Sequence, residues 1–317
     1  MASIRGPREG GLFGTIPGRV KNIIFITSIN TLAVGYFTIV LTAYLPQIGV
    51  GSEVVGLVVG AEGIALIVAG IPLGLLSDRR GRKWILILSA CAFAPVLFIV
   101  AFTRSTDFLI LAGTIGGIAE GGFLSTFNAI IADLTPPKSR DKTFSLSFVA
   151  STVSLGIGSS IPFAFPYLEG VLSTASVEIH RDALILMGFV AMSSPICLWA
   201  VLRSYDEGSR IGSNFSSKGG LKDLLKFSGT NSIIGLGAGF IIPLIATWFY
   251  LKFGVGDTYT GPLLALSNIT IGLAAAFSPL MSRKFGIVRA IAINQGLSTV
   301  FMASLAFVGD PIVAATL

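Results

Sequence analysis

Charged residues are scarce in this chain of 317 residues. Asp, Glu, Lys and Arg together make up only 12% of it, whereas 53% of the residues are hydrophobic. Soluble globular domains typically contain about 25% charged residues. The composition therefore excludes a soluble domain with an ordinary surface and predicts a polytopic membrane protein.

Residues that could carry metal, redox or enzymatic chemistry are also few. The chain has two cysteines, Cys91 and Cys197, which lie in apolar segments and are interpreted as small buried hydrophobes, with no disulfide or metal site. The single histidine, His180, is predicted to lie in an outer loop. Neither a Walker-type phosphate loop nor a Gly-x-Ser-x-Gly elbow occurs. We therefore expect no enzyme, no cofactor and no metal.

What the chain does contain is a series of apolar segments of spanning length. A helix that crosses about 30 Å of hydrocarbon at 1.5 Å per residue needs about 20 such residues. Backbone N–H and C=O groups in lipid must form hydrogen bonds with other protein groups, which only helices and closed β-barrels allow. These segments lack the alternation of apolar and polar residues that is typical of barrel strands, so helices are predicted. The predicted spans are 23–45, 54–76, 84–102, 108–132, 144–168, 183–202, 228–251, 258–281 and 287–308.

The distribution of basic residues predicts the orientation and excludes a nucleic-acid surface. If the amino terminus lies in the cytoplasm, 19 of the 22 Lys and Arg residues fall in inner segments, and only Arg104, Arg181 and Lys252 fall outside. The excess of positive charge therefore reports topology, because it lies in short loops and not along one face of a domain. A multi-pass protein of the plasma membrane with a cytoplasmic amino terminus is expected.

An internal repeat divides the chain. An offset of 205 residues aligns positions 49–81 with 254–286 at 9 identities in 33, without a gap. We predict an all-α polytopic bundle with one six-helix half and an incomplete second half. The predicted regions are a cytoplasmic tail at 1–22, a six-helix bundle at 23–202, a cytoplasmic linker at 203–227 and an incomplete bundle at 228–317.

A charged loop separates the second and third spans. It reads Gly-Leu-Leu-Ser-Asp-Arg-Arg-Gly-Arg-Lys from Gly74 to Lys83. The spacing Gly-x-x-x-Asp-Arg-x-Gly-Arg-Lys resembles the loop between helices 2 and 3 of the major facilitator superfamily of transporters. The end of span four, which contains Asp133 and is followed by Thr-Pro-Pro-Lys, is similar to the second cytoplasmic turn of that family.

The resemblance implies an architecture and a conformational switch. The family has two six-helix halves related by an axis along the membrane normal, and the resemblance implies the same arrangement for this chain. On that basis the chain is expected to lack the last three helices, which a missing segment or a separate chain would supply. The residues expected to form the switch are Gly74, Asp78, Arg79, Gly81, Arg82, Lys83 and Asp133.

Polar residues inside the spans are the candidates for coupling or substrate contact. Glu62 and Glu120 lie near the middle of spans two and four, where a carboxylate is costly and usually faces the bundle interior or a wet cavity. A structural, hydrogen-bonded role is the alternative. Weaker candidates are Asn30, Asn128, Ser151 and Ser154.

These features favour secondary active transport of a small solute by alternating access. We expect proton-coupled export of amphiphilic compounds, because the spans are largely apolar and no Lys or Arg within them is placed to hold an anion. Uptake of a neutral metabolite is the alternative transport function, and a non-transporting truncated membrane scaffold or subunit is the alternative of a different class. The expected partners are the substrate, protons and the lipid bilayer.

Overall fold

The described part of the chain is a bundle of helices. A computed structural model describes residues 15–205, 235, 237–239 and 241–316, and within these residues there is no strand. The helices are α1 Gly18–Gln47, α2 Ser52–Arg80, α3 Arg82–Phe102, α4 Thr106–Leu134, α5 Pro137–Leu172, α6 Ser176–Val201, α7 Ile245–Phe253, α8 Asp257–Phe285, α9 Ile287–Leu305 and α10 Pro311–Thr316. The predicted all-α fold is confirmed.

Helices α1 to α6 are each long and apolar enough to cross a membrane. They coincide with the first six predicted spans, although α1 begins inside the predicted tail and α6 begins at Ser176, seven residues before the predicted start at 183. Helices α8 and α9 coincide with the eighth and ninth predicted spans. The predicted linker lies outside the described residues apart from 203–205, as does most of the start of the seventh span.

Two of the six long helices are irregular. Helix α1 contains a π-helical turn at Val40–Tyr44. Helix α5 is interrupted by a 3₁₀ turn at Ile161–Ala164, which contains Pro162, before it continues to Leu172. A proline cannot donate to the preceding turn, which accounts for the interruption in α5.

Consecutive helices place their connections at two ends of the bundle. The basic end carries the junction of α2 and α3 at Gly81, the junction of α4 and α5, and the end of α6. The far end carries the junctions of α1 with α2, α3 with α4, α5 with α6 and α7 with α8. These two names are used below without reference to a side of the membrane.

The predicted repeat is also visible in the backbone. Helices α2 and α8 are both 29 residues long and begin 205 positions apart, at Ser52 and Asp257. The glycines that precede them, Gly49 and Gly254, have φ values of 91° and 69°, and those that follow them, Gly81 and Gly286, have 109° and 79°. All four adopt the left-handed region that favours glycine. The two segments therefore repeat one backbone pattern as well as some identities.

Close backbone contact holds α2 against α4. A Cβ added at Gly113 would lie 2.6 Å from the carbonyl oxygen of Val58, and one added at Gly121 would lie 2.9 Å from that of Leu66. At Gly117 it would overlap the carbonyl oxygen of Glu62. Small residues are the usual means by which membrane helices approach closely, and here they fix the positions of the α2 side chains relative to α4.

The main apolar core lies within α1 to α6, which we call the N-terminal group. Its largest fully buried side chains include Tyr36, Phe37 and Leu97, and Phe37 meets Phe93 edge-on with ring centroids 5.8 Å apart. The C-terminal group, α7 to α10, joins it mainly through α8, which packs along α5. At the end of α1 the hydroxyl of Thr247 donates to the carbonyl of Thr42. These two residues are 205 positions apart, so the axis that relates the repeats passes close to this contact.

Candidate functional site

The charged loop at the basic end is built around Arg82. Its Nη2 lies 2.7 Å from Asp78 Oδ1, and its Nη1 lies 2.6 Å from Asp133 Oδ2. Asp78 is in the last turns of α2, Arg82 begins α3 and Asp133 is in the last turn of α4. One guanidinium thus bridges two carboxylates and ties three helices together at their ends, with charge-assisted hydrogen bonds on both sides.

The local chain conformation explains why the loop can do this. Gly81 has a φ of 109°, so the chain reverses in a single residue and places Arg82 one turn from Asp78. Gly74 packs α2 on α4, since a Cβ added there would lie 3.5 Å from the Cβ of Ser125. Among the other predicted switch residues, Arg79 is exposed, and the ammonium of Lys83 lies 5.5 Å from the centre of the Trp84 ring.

Sequence reasoning missed one member of this network, Tyr205. Its hydroxyl donates to Asp133 Oδ2 at 3.2 Å, and its ring lies 5.9 Å from the guanidinium carbon of Arg19. Arg19 also donates from Nε to the carbonyl of Val201 at 3.1 Å. Tyr205 follows the end of α6, so the network joins the segment after the sixth helix to α1 and α4. A tyrosine directly after an apolar span was the available signal, and it is a weak one.

The two intramembrane carboxylates lie on helices that touch. Helix α2 carries Glu62 and helix α4 carries Glu120, and the two side chains are near enough to interact electrostatically. Glu62 is half-buried, and its Oε1 lies 3.6 Å from the position that a Cβ on Gly116 would occupy. Glu120 is exposed on the surface of the described helices. Two carboxyl groups at mid-span on helices in close contact form an arrangement able to take up a proton.

The weaker polar candidates are dispersed. Asn30 is buried on α1, and its side-chain oxygen has no hydrogen-bond partner among the described residues. Asn128 is exposed and donates to the carbonyl of Leu124 at 3.4 Å. Ser151 and Ser154 are half-buried on α5. The structure brings none of these four into one cluster with the two glutamates, and Asn30 is the one with an unsatisfied buried atom.

A second polar cluster, not predicted from the sequence, lies at the far end. The prediction that His180 lies in an outer loop is wrong. Helix α6 begins four residues earlier, and the His180 side chain is only 2% exposed. Its Nε2 lies 2.7 Å from Oδ2 of Asp257, which is 4% exposed. The available signal was a lone histidine in a chain with few polar residues, but its partner is 77 positions away.

The two cysteines also differ from expectation. Both Cys91 and Cys197 are exposed on the surface of the bundle and are not buried, because each lies on the face of its helix that points away from the other helices. Within the described residues no group of three or more His, Cys, Asp or Glu side chains is arranged to hold a metal ion.

The fold and the site together show which class of protein this chain belongs to. The chain is a polytopic helical membrane protein with a repeated helix pattern, a charged network at one end and carboxyl groups at mid-span. The chain belongs to the Major Facilitator Superfamily, because the model of that family matches residues 23–317. The resemblance carried by the loop at Gly74–Lys83 is thereby confirmed, and at the level of the family so is the expectation of a transport protein in place of an enzyme.

Three curated relatives indicate the range of the family. The chain is 29% identical over 166 residues to the inner membrane transport protein YajR of Escherichia coli, a match that covers 52% of this chain and 34% of that protein. It is 27% identical over 196 residues to the glucose transporter GlcP of Staphylococcus epidermidis, covering 60% and 44%. Identity to the quinolone resistance protein NorA of Staphylococcus aureus is 27% over 153 residues, covering 45% and 39%. The chain therefore spans from 34% to 44% of the length of these relatives.

A solved structure supports the fold. A bacterial homologue of the human lysosomal transporter Spinster, solved in an inward-facing and unoccupied conformation, superposes with a TM-score of 0.64 at 21% identity. The match covers 86% of this chain and 64% of that one. At this identity the comparison shows the shared helical architecture.

Proposed function

We propose that this protein carries out secondary active transport of a small solute by alternating access, as proton-coupled export of amphiphilic compounds. The observation that carries the proposal is the pair of mid-span carboxyl groups, Glu62 and Glu120, on two helices in backbone contact within a family of transporters. The protein would lie in the plasma membrane with its amino terminus in the cytoplasm, which places the basic end inside. The excess of basic residues in the predicted inner segments supports that orientation.

The network at the basic end supports the conformational part of the proposal. Arg82 holds the ends of α2, α3 and α4 together, and Tyr205 extends the network to the segment after α6. A contact set that is formed in one state and broken in another shifts the balance between them by its differential energy. We therefore assign to a conformational switch the residues Gly74, Asp78, Arg79, Gly81, Arg82, Lys83 and Asp133.

The carboxyl groups support coupling to protons. A carboxyl group at mid-span is stable when protonated and costly when ionised, so its proton is taken up or released when the surrounding helices change its access to water. Glu120 is the stronger candidate, because it lies exposed beside Gly116, Gly117 and Gly121 and is free to meet water or substrate. Glu62, half-buried on the neighbouring helix, interacts with it electrostatically.

Two observations bear on the substrate. The first six spans carry apolar faces, and the similarity to the quinolone resistance protein favours export of amphiphilic compounds. The similarity to the glucose transporter, which extends over more of the chain, favours uptake of a neutral metabolite as the second candidate. The proposed roles of Asn30, Asn128, Ser151 and Ser154 are contacts with the substrate in either case.

The experiment uses proteoliposomes that contain the purified protein and an imposed pH gradient. Ethidium serves as the amphiphilic probe and radiolabelled glucose as the neutral one. We expect ethidium to move against its gradient only while the pH gradient lasts. Saturable glucose movement without ethidium movement would favour the second candidate, and movement of neither, in protein shown to be folded, would contradict both.

Substitution of Glu120 tests the coupling site. Glu120→Gln keeps the shape of the side chain and removes the titratable group, so gradient-driven movement of ethidium should be lost while ethidium binding remains measurable. Asp107→Asn is the matched control, since Asp107 is an exposed carboxylate in the first turn of the same helix. Uphill movement at the wild-type rate in Glu120→Gln would show that Glu120 does not couple protons to transport.

A further inference from the structure

The far end of the bundle holds a buried ion pair between the two groups of helices. His180 lies on α6 of the N-terminal group, and Asp257 begins α8 of the C-terminal group. Both carboxylate oxygens of Asp257 are used: Oδ2 is 2.7 Å from His180 Nε2, and Oδ1 accepts a hydrogen bond of 3.0 Å from Gln47 Nε2. Gln47 ends α1, so three helices from both groups meet at one carboxylate.

The hydrogen bonds of His180 define its proton count. Nδ1 lies 2.8 Å from the carbonyl oxygen of Ser176, which is only an acceptor, so Nδ1 must carry a hydrogen. Nε2 faces Asp257 Oδ2, so a second proton must lie between these two atoms. A neutral imidazole beside an ionised carboxylate has one proton too few for both contacts. The hydroxyl of Ser176, at 3.4 Å from Nδ1, is farther than the carbonyl and leaves this requirement in place.

The surroundings hold the ring and favour the charged pair. The Tyr44 ring stacks on the imidazole with centroids 3.5 Å apart, and Phe165 meets it edge-on at 4.6 Å. Tyr36 donates to the carbonyl oxygen of His180 at 3.1 Å. A cation stacked on an aromatic face is stabilised by the ring. The carboxylate lies in the first turn of its helix, where the helix dipole favours negative charge.

The titratable and charged groups around the pair are few in the described part of the chain. Tyr36 and Tyr44 face it from α1, and Arg104 on the junction of α3 and α4 interacts electrostatically with Tyr44. Gln47, also from α1, is neutral, and Phe165 from α5 carries no charge.

We propose that His180 and Asp257 form a proton-binding site that fastens α8 to α1 and α6 and so closes the far end of the bundle. The bound proton completes both hydrogen bonds of the imidazole, so at a pH where a free imidazole is neutral, separation of the two groups releases one proton. Only the effect on transport rests on the proposed transport function. If the far end faces outside, external pH would control how readily the protein opens outward.

The direction of the pH dependence follows from this proton count. Because the closed arrangement holds the extra proton, it is more stable at mildly acidic pH than at alkaline pH. In the pH range in which the closed arrangement holds one more proton than the open one, the ratio of closed to open molecules changes by up to about tenfold per pH unit. No charge needs to cross the membrane for this response.

Thiol labelling of a buried position measures closure without any substrate. Ser159 on α5 is 3% exposed and packs against Gly261 of α8, so Ser159→Cys should react only when α8 separates from α5. The exposed residues Cys91 and Cys197 are first replaced by alanine. Ser105→Cys, at an exposed position of the same end, corrects for the effect of pH on thiol reactivity.

The expected result is slow labelling of Ser159→Cys at about pH 5.5 and labelling at least about tenfold faster at about pH 9.5, relative to the control position. A relative rate that does not change over this range overturns the proposal, whatever the variants show. His180→Gln and Asp257→Asn should each reduce the ratio to about one. Persistence of the full pH response in both variants would assign it to other groups.

A last comparison separates the proton site from simple packing. Gln47→Leu removes one hydrogen bond to Asp257 but leaves the histidine and the carboxylate, so it should speed labelling at every pH and keep the pH response. Loss of the response in Gln47→Leu, with His180 and Asp257 intact, would contradict a site made by those two residues. Ethidium movement is assayed separately, so failure of the transport proposal and failure of this one give different results.

Discussion

At the residue scale, Arg82 joins the two carboxylates of the basic-end network. It contacts two carboxylates on two other helices, and 22% of its side chain is exposed. Exposed ion pairs contribute only about 0–1 kcal/mol, but loss of the cation here leaves Asp133, with 15% of its side chain exposed, without its guanidinium partner. Removal of one partner from a partly buried ion pair costs more than the loss of a surface pair.

Arg82→Ala and Asp78→Asn should therefore slow turnover by about tenfold or more, corresponding to about 1.4 kcal/mol, and change substrate binding much less. Arg80→Ala is the matched control, because Arg80 is exposed in the same loop. The measurement is the maximal rate of probe movement together with the binding constant of the probe. Equal and mild effects of all three substitutions would show that the loop determines topology alone.

Contacts between residues that are close in sequence could be predicted, whereas contacts between distant residues could not. Asp78 and Arg82 are four positions apart across a glycine, so their contact follows from the motif. Asp133 was assigned to the same end from the number of spans between it and the loop. The partners of His180 could not be found in this way, because the pair joins two groups of helices and depends on how α8 packs. Tyr205 was missed since its role depends on the path of the chain after α6.

At the scale of helices, glycine on α4 determines how closely α2 can approach. A Cβ at Gly117 would overlap the carbonyl oxygen of Glu62, whereas one at Gly63 would meet nothing within 4 Å. The same substitution thus has opposite consequences on the two facing helices. The positions of both intramembrane carboxyl groups depend on this packing.

Gly117→Ala should destabilise the protein by about 1–3 kcal/mol, because α4 must move away from α2. Gly63→Ala should be neutral or stabilise by up to about 1 kcal/mol, because alanine is the better helix former. Thermal unfolding in detergent compares the two variants with the wild type. A similar Tm for both would contradict the close packing of α2 and α4.

Helix boundaries were predictable where apolar runs end in glycine or charge. Helices α2 and α3 meet at Gly81, as the charged loop predicts, and the 205-residue repeat predicts the matching junction at Gly286. The start of α6 was not predicted, because Ser176 to Asp182 is polar and hydropathy alone excludes it from the span. His180 in this segment is accommodated by contacts with α1 and α8 that no local pattern encodes, whereas Glu178, Arg181 and Asp182 are exposed.

At the scale of the whole molecule, the orientation remains a prediction from charge. A cysteine at Ser213 in the predicted linker should react with an impermeant reagent only from the cytoplasmic side, and one at Ser105 only from outside. Labelling of intact cells and of inverted vesicles makes the comparison, with the native cysteines replaced. Reaction of both positions from the same side would contradict the predicted topology.

Alternating access requires the two ends of the bundle to open in turn. In the structure, Gln47 and His180 of the N-terminal group contact Asp257 of the C-terminal group at the far end. The network at the basic end lies within the N-terminal group and the segment that follows it. The two ends therefore carry separate sets of contacts, so one set can be broken while the other is formed.

Distances between spin labels across both ends test this claim most directly. One pair is placed at Ser105 and Lys252 across the far end, and the other at Lys138 and Lys284 across the basic end. We predict that between about pH 5.5 and about pH 9.5 the far-end distance lengthens while the basic-end distance shortens. Two distances that lengthen and shorten together would contradict alternating access in this protein, and two that stay constant would contradict control of the far end by pH.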